Sequence, residues 1–200
     1  MKLGLFGGSF DPIHNGHVAT VRAAQRTLGL DKVLFLPTAV PPHKPGRVLA
    51  PPYARYAMVE LALLREEGLE ASPHELTLGR PAYTIETLEH FRRERPEAEL
   101  YLLMGEDSFV DLNHWVRYRE IPGVARLVVL ARPGWDYLSA DLPPELREIA
   151  ASGRVTFLEQ EQVDVSSTQI REALRTGLVL PPEALPELVV RYLSKYTLYR

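Results

Sequence analysis

No cysteine occurs among the 200 residues. That absence removes a disulfide framework, a thiolate metal site and a cysteine nucleophile together. No apolar run approaches the roughly 20 residues a membrane-spanning helix needs. The first residues pass from a short apolar run into a glycine turn, unlike a signal peptide. By elimination the expected location is cytoplasmic, with no membrane partner. Lysine is scarce, at four residues, and the formal net charge is -3. Such a surface has no global attraction for nucleic acid, so an anionic ligand must be held by local positive groups. Two common phosphate-binding signatures, G-x-x-x-x-G-K-[ST] and G-x-G-x-x-G, are also missing from the glycine turn.

What is present is ordinary in bulk: 46% hydrophobic and 24% charged residues, as in a globular protein. At this length one domain spanning 1–200 is expected, with a C-terminal helical part from about residue 166. Strand-like runs recur at Leu3–Phe6, Lys32–Leu36, Glu99–Met104, Arg126–Leu130 and Arg154–Leu158. Helical patterns lie between them at His17–Leu28, Tyr53–Leu64 and Thr84–Arg95, with a shorter one from Glu106 through Arg119. The alternation predicts an α/β fold with a mainly parallel sheet, whose ligands bind at the carboxyl ends of the strands. Pro37–Pro52 holds six prolines and reads as a long loop over those ends. The spacing of Leu185, Leu188, Val189, Tyr192, Leu193 and Tyr196 predicts an amphipathic packing helix.

The most informative stretch is Gly7-Gly8-Ser9-Phe10-Asp11-Pro12-Ile13-His14-Asn15-Gly16-His17. Glycines between a strand and a helix let backbone N–H groups approach a phosphate, and a helix N-terminus favours negative charge. His14 and His17 share one face of the first helical turn. As neutral rings they donate one hydrogen bond each, and a bound triphosphate should raise their pKa values. Alone, the pair reads more readily as two surface histidines; with the glycine turn before it, the pair reads as a phosphoryl-transfer site.

Four further segments carry chemistry. In Ser166-Ser167-Thr168-Gln169-Ile170-Arg171, Ser166 and Gln169 match a capping box. The same geometry frees first-turn N–H groups for phosphate, and Arg171 shares the face of Ser167 and Thr168. Pro41-Pro42-His43-Lys44 presents Lys44 as a point charge on a stiff loop, or is a plain solvated turn. Gly105-Glu106-Asp107-Ser108 follows a strand; Asp107 could meet a ribose or the water shell of Mg²⁺, or simply face the helix dipole. Trp115 offers a flat surface for a heteroaromatic ring, or is a core tryptophan. Arg132-Pro133-Gly134 is a turn or a pocket wall.

Together these segments resemble the nucleotidyltransferases with an H-x-G-H signature, and most nearly the bacterial nicotinate-nucleotide adenylyltransferases. Pro81-Ala82-Tyr83-Thr84 with Thr87-Leu88, and the closing Tyr196–Tyr199, add to the likeness. The resemblance implies a Rossmann-like, doubly wound α/β fold with helices on both faces. It implies transfer of AMP from ATP to nicotinate mononucleotide, with Mg²⁺, giving deamido-NAD and pyrophosphate. Carried over by motif, His14, His17 and Arg171 act in catalysis. Gly7, Gly8, Ser9, Phe10, His17, Gly105, Asp107, Arg132, Ser166, Ser167, Thr168 and Arg171 hold ATP. Gly8, Ser9, His14, Lys44, Tyr83, Thr84 and Trp115 hold the mononucleotide. No protein side chain is a direct metal ligand in this reading, Asp107 being the one candidate; Mg²⁺ is carried by the ATP phosphates. Three alternatives stay open: a sister enzyme using nicotinamide mononucleotide or phosphopantetheine, a fragment of a class I aminoacyl-tRNA synthetase, and a nucleotide sensor without turnover. A K-M-S-K-S segment is absent, against the second. Self-association is left open.

Overall fold

The computed structural model describes residues 1–39, 49–136, 142–159 and 165–200. In chain order the elements are β1 (Lys2–Gly8), α1 (Asn15–Leu28), β2 (Lys32–Pro37), α2 (Pro52–Leu63), β3 (Leu69–Ala71), α3 (His74–Thr77) and α4 (Thr84–Glu94). Then come β4 (Glu99–Gly105), α5 (Glu106–Val110), α6 (Ile121–Val124), β5 (Arg126–Ala131), α7 (Pro144–Ala151), β6 (Val155–Glu159), α8 (Ser167–Thr176) and α9 (Glu187–Tyr196). The strands form one sheet in the order β3-β2-β1-β4-β5-β6. Every pairing is parallel, with Leu3 opposite both Lys32 and Leu100. This is a Rossmann-like, doubly wound sheet, as expected.

The strands are apolar on both faces, as parallel strands covered by helices must be. Their period of two feeds two cores. Val33, Phe35, Leu103 and Val128 pack with α1, α2 and α9 on one face. Leu3, Leu5, Leu34, Leu102 and Val129 pack with α4 and α7 on the other. Chain order reverses between β1 and β4, so the crevice at their carboxyl ends is the natural ligand address.

Two expectations need correction. The helix expected from Glu106 through Arg119 is broken into α5 and two short 3-10 turns, Leu112–His114 and Tyr118–Glu120. The chain bends at Asp111 (φ -92°, ψ 2°) and at Arg117 (φ 54°). Those bends let Phe109, Leu112 and Ile121 reach one core, which a straight helix could not do. The proline-rich segment is shorter than a loop over 37–52, since Pro37 ends β2 and Pro52 begins α2, where a missing N–H costs nothing. Finally β3, α3 and α7 had no strong sequence signal; the first two span three and four residues, too short for a period to register. Among the described residues no helix is long and apolar enough to cross a membrane.

Candidate active site

A cavity of about 450 Å³ opens at the crevice between β1 and β4. Gly7, Gly8 and Ser9 line it from the β1 end, Gly105, Asp107 and Ser108 from the β4 end. Thr84, Thr87 and Leu88 of α4 and the Trp115 ring close the side. Ala82 and Glu75 complete that wall. Thus two loops far apart in sequence, around Thr84 and Trp115, meet on one surface.

His14 is the N-cap of α1 and His17 its third residue. Their ring centroids lie 3.7 Å apart. The His14 backbone N–H donates to His17 Nδ1 at 3.2 Å. That bond leaves Nδ1 without a proton, so the neutral ring carries its hydrogen on Nε2 and can donate outward. Gly16 sits between them for a steric reason. A Cβ there would lie 2.9 Å from His14 Nδ1 and 3.3 Å from Val165 Cγ1, closer than carbon tolerates. The sequence motif H-x-G-H thus has a packing origin that spacing alone did not disclose.

Without a bound phosphate the histidines are shifted downward. Burial lowers the His14 pKa to about 4. Burial, and then the nearby His14, hold His17 well below the usual imidazole range. Both rings are neutral at pH 7, and an anion would have to outweigh that desolvation to charge them.

The first turn of α8 abuts the same β1–α1 turn. Ser167 Oγ donates to the Pro12 carbonyl at 2.9 Å, and Arg171 Nη1 to the Asp11 carbonyl at 2.5 Å. Arg171 Nη2 donates to Thr168 Oγ1 at 3.1 Å. Two of the five guanidinium N–H donors are used this way. Ser166 caps the helix as predicted, accepting from the Gln169 N–H at 3.2 Å. Its hydroxyl also donates to Gln169 Oε1 at 2.8 Å, so the glutamine bonds the cap's side chain rather than its backbone.

Several expected site residues do not line this cavity, among them His14, His17, Ser166, Ser167, Thr168 and Arg171. Phe10 is not on the cavity wall. It is 2% exposed, its ring packed edge-on against His17 with centroids 5.3 Å apart and filling the space over Gly8. Tyr83 is exposed and off the wall, while its neighbours Ala82 and Thr84 line it. Arg132 stands beside the cavity, 3.1 Å from Glu106 and 3.7 Å from Asp107. Glu106 also accepts the Arg132 N–H at 3.0 Å, so this buried carboxylate ties the ends of β4 and β5. Lys44 lies outside the described residues.

A buried charged assembly beneath the turn had no sequence signal. Arg55, 0% exposed, donates to four carbonyls: Ser9, Thr38 at 2.7 Å, Ala39 at 3.2 Å and Ala50 at 3.0 Å. Asp11, 1% exposed, accepts from the Ala50 N–H at 3.0 Å and the Tyr199 hydroxyl at 2.6 Å. Its other oxygen is 3.7 Å from Arg171. Asp11 therefore joins the β1–α1 turn, α8 and the chain's last residues. Arg55 gives no clue in sequence because its charge is read on an otherwise ordinary helix; only the fold turns it inward.

Among the described residues no three histidine or acidic side chains converge as a metal cage. Asp107 presents one exposed carboxylate at the cavity. That set fits a cation brought in on phosphates and touched by one carboxylate through water.

Comparison with known proteins agrees with this geometry. Residues 5–173 match the cytidylyltransferase-like family. The chain is 40% identical over 200 residues to a protein of Thermus thermophilus named "Probable nicotinate-nucleotide adenylyltransferase", with 100% of both chains covered. It is 37% identical over 199 residues to a Clostridium tetani protein of the same name, covering 100% of this chain and 99% of the relative. Its fold matches Plasmodium falciparum nicotinic acid mononucleotide adenylyltransferase complexed with NaAD at a TM-score of 0.76 and 14% identity, covering 99% and 97% of the two chains. The chain belongs to the cytidylyltransferase-like family, among its nicotinate-nucleotide adenylyltransferases.

Proposed function

We propose that the crevice binds ATP, as its Mg²⁺ complex, beside nicotinate mononucleotide and joins them into deamido-NAD with release of pyrophosphate. The observation that carries this reading is the convergence at one sheet end of the glycine turn, the His14–His17 pair, the α8 first turn and an apolar cavity with Trp115 on its wall. A 5′-phosphate oxygen of the mononucleotide attacks the α-phosphorus of ATP. The bond from that phosphorus to the oxygen bridging to the β-phosphate breaks, and pyrophosphate leaves. The attacking oxygen is already anionic, so no general base is needed. The protein's task is to align two polyanions and offset their repulsion.

In this reading each group takes one role. Gly7, Gly8 and Ser9 line the cavity and would meet both substrates. His17 Nε2–H and the His14 ring are donors for the α-phosphate. The Ser167 and Thr168 N–H groups and Arg171 face the leaving phosphates, with Ser166 as the cap that sets them. Thr84 and Trp115 hold the pyridine ring, and Gly105 and Asp107 the ribose of ATP. Mg²⁺ supplies neutralisation of the phosphate charge, with Asp107 the side chain nearest to serve its water shell. Lys44 would add a point charge to the mononucleotide phosphate.

The direct test offers the protein ATP and Mg²⁺ with nicotinate mononucleotide, nicotinamide mononucleotide or phosphopantetheine and measures pyrophosphate. Release is expected with nicotinate mononucleotide; silence with both pyridine nucleotides would overturn the reading. Gly16→Ala is a finer probe. Alanine favours the helix by about 1 kcal/mol, which offsets part of the cost of moving the His14 ring, so Tm should fall only modestly. The added methyl displaces the His14 ring, and turnover should fall roughly 10- to 100-fold, as misplacing a donor by about 1 Å does. Wild-type turnover in that variant would show that the ring's position is immaterial.

A further inference from the structure

The last residues of the chain reach back to the β1–α1 turn. Beyond α9, Thr197 (φ 52°) and Tyr199 (φ 65°) both take the left-handed backbone region, which residues other than glycine seldom enter. Such backbone persists where surrounding contacts fix it. Here Leu198 and the half-buried Tyr199 ring pack against the core that includes Phe10 and Ile13. The Tyr199 hydroxyl donates to Asp11 Oδ1 at 2.6 Å. Burial first, and then that bond, push the hydroxyl well above its ordinary pKa, so it stays protonated and remains a donor.

Asp11 has an uneven set of partners. Its Oδ1 accepts twice, from Tyr199 and from the Ala50 N–H at 3.0 Å. Its Oδ2 is buried and accepts no hydrogen bond among the described residues. Arg171 Nη1 stands 3.7 Å from Asp11 Oδ2, beyond hydrogen-bond reach. The guanidinium donates instead to the Asp11 main-chain carbonyl and to Thr168 Oγ1. Arg55, the other cation beside Asp11, has four donors committed to carbonyls. A carboxylate and a guanidinium this close ordinarily close into a bidentate pair. Here the carboxylate faces its two donors on Oδ1 and the pair stays open.

We propose that Tyr199 is a positioning residue for adenylyl transfer: its hydroxyl holds the Asp11 carboxylate short of pairing with Arg171, so the guanidinium keeps its remaining donors for the leaving phosphates of ATP. This rests on the role given to Arg171 above. A bidentate Asp11–Arg171 pair would take two N–H donors and neutralise the charge that the phosphates need. The Ala50 N–H alone does not prevent it, because a carboxylate held by one bond can turn about that bond. The Asp11 carbonyl and Thr168 set where the guanidinium stands; Tyr199 sets what it is free to bind.

The test is a double-mutant cycle read by steady-state pyrophosphate release. Tyr199→Phe keeps the ring and its packing and removes the donor. At saturating nicotinate mononucleotide, kcat/KM for ATP should fall about 10- to 100-fold, the weight of one hydrogen bond to a charged group. KM for the mononucleotide should stay within about twofold of wild type, since Arg171 is assigned to the other substrate. In an Arg171→Ala background there is no guanidinium to sequester, so adding Tyr199→Phe should change kcat/KM for ATP by less than about twofold. Alanine suits that helix position, and thermal melts check that each variant is folded. A Tyr199→Phe enzyme that matches wild type, an equal rise in KM for both substrates, or the same loss in the Arg171→Ala background overturns the assignment while adenylyl transfer stands. If Arg171→Ala itself leaves the ATP kinetics unchanged, the phosphate role of Arg171 falls and this inference with it. If neither pyridine nucleotide is turned over, the reading of the whole site falls as well.

Discussion

His17→Ala should lower kcat about 10²- to 10³-fold, the usual cost of removing one preorganised donor from a developing phosphoryl charge. The reason is the fixed tautomer. The His14 N–H occupies Nδ1, so the neutral ring holds its hydrogen on Nε2 before substrate arrives. Alanine leaves the His14 N–H without that acceptor, a loss of about 1 kcal/mol. His17 packs against Phe6 and Phe10 at the margin of one core, so the variant should fold with a lower Tm. The measurement is kcat at saturating ATP and mononucleotide, with a thermal melt as control. A kcat within about threefold of wild type, well short of one lost donor, would remove His17 from the reacting phosphate.

Arg55→Met should produce the largest loss of stability. Methionine keeps much of the volume but leaves the Ser9, Thr38, Ala39 and Ala50 carbonyls without their donor. It also takes a cation away from Asp11, whose attraction partly offsets the burial that lowers the Arg55 pKa. Breaking a buried, hydrogen-bonded charge usually costs about 3–5 kcal/mol. At about 2–4 °C per kcal/mol for a chain of this size, Tm should drop by roughly 6–20 °C. Activity should suffer in what survives, because Ser9 lines the cavity and is positioned by this guanidinium. Arg55→Lys carries the charge without the planar fork and should recover only part of the loss. A melt of Arg55→Met within about 2 °C of wild type, less than 1 kcal/mol of effect, would show that the four bonds are dispensable.

Local patterns wrote much of this molecule. The five longer strands and α1, α2, α4 and α9 follow from apolar periodicity, because a doubly covered sheet and an amphipathic helix leave unmistakable traces. The cap at Ser166 was legible for the same reason: a hydroxyl three residues before glutamine satisfies N–H groups that a helix start must leave open. The burial of the Phe10 ring was not legible, because position within a motif does not say which way a side chain turns. Its aromatic ring gains more from filling the core beneath Gly8 than from lining a wet cavity. Glu106 and Arg132 were each noticed, but not as partners, since their proximity depends on the β4–β5 register.

By itself the sequence determined the α/β alternation, the glycine turn with its two histidines, the phosphate-compatible start of α8 and the family resemblance. All of these are local, spanning a few helical turns or a strand and its following loop. Only the tertiary structure decided which distant segments share a site. It put the Ser167 hydroxyl on Pro12, Tyr199 on Asp11, and Thr84, Trp115 and Glu75 around one cavity. It also decided protonation: burial holds both histidines neutral in the protein alone and pushes the Glu75 carboxyl up to about 7. Periodicity reports which face of an element is dry, but a side chain's pKa depends on what every other element removes from around it.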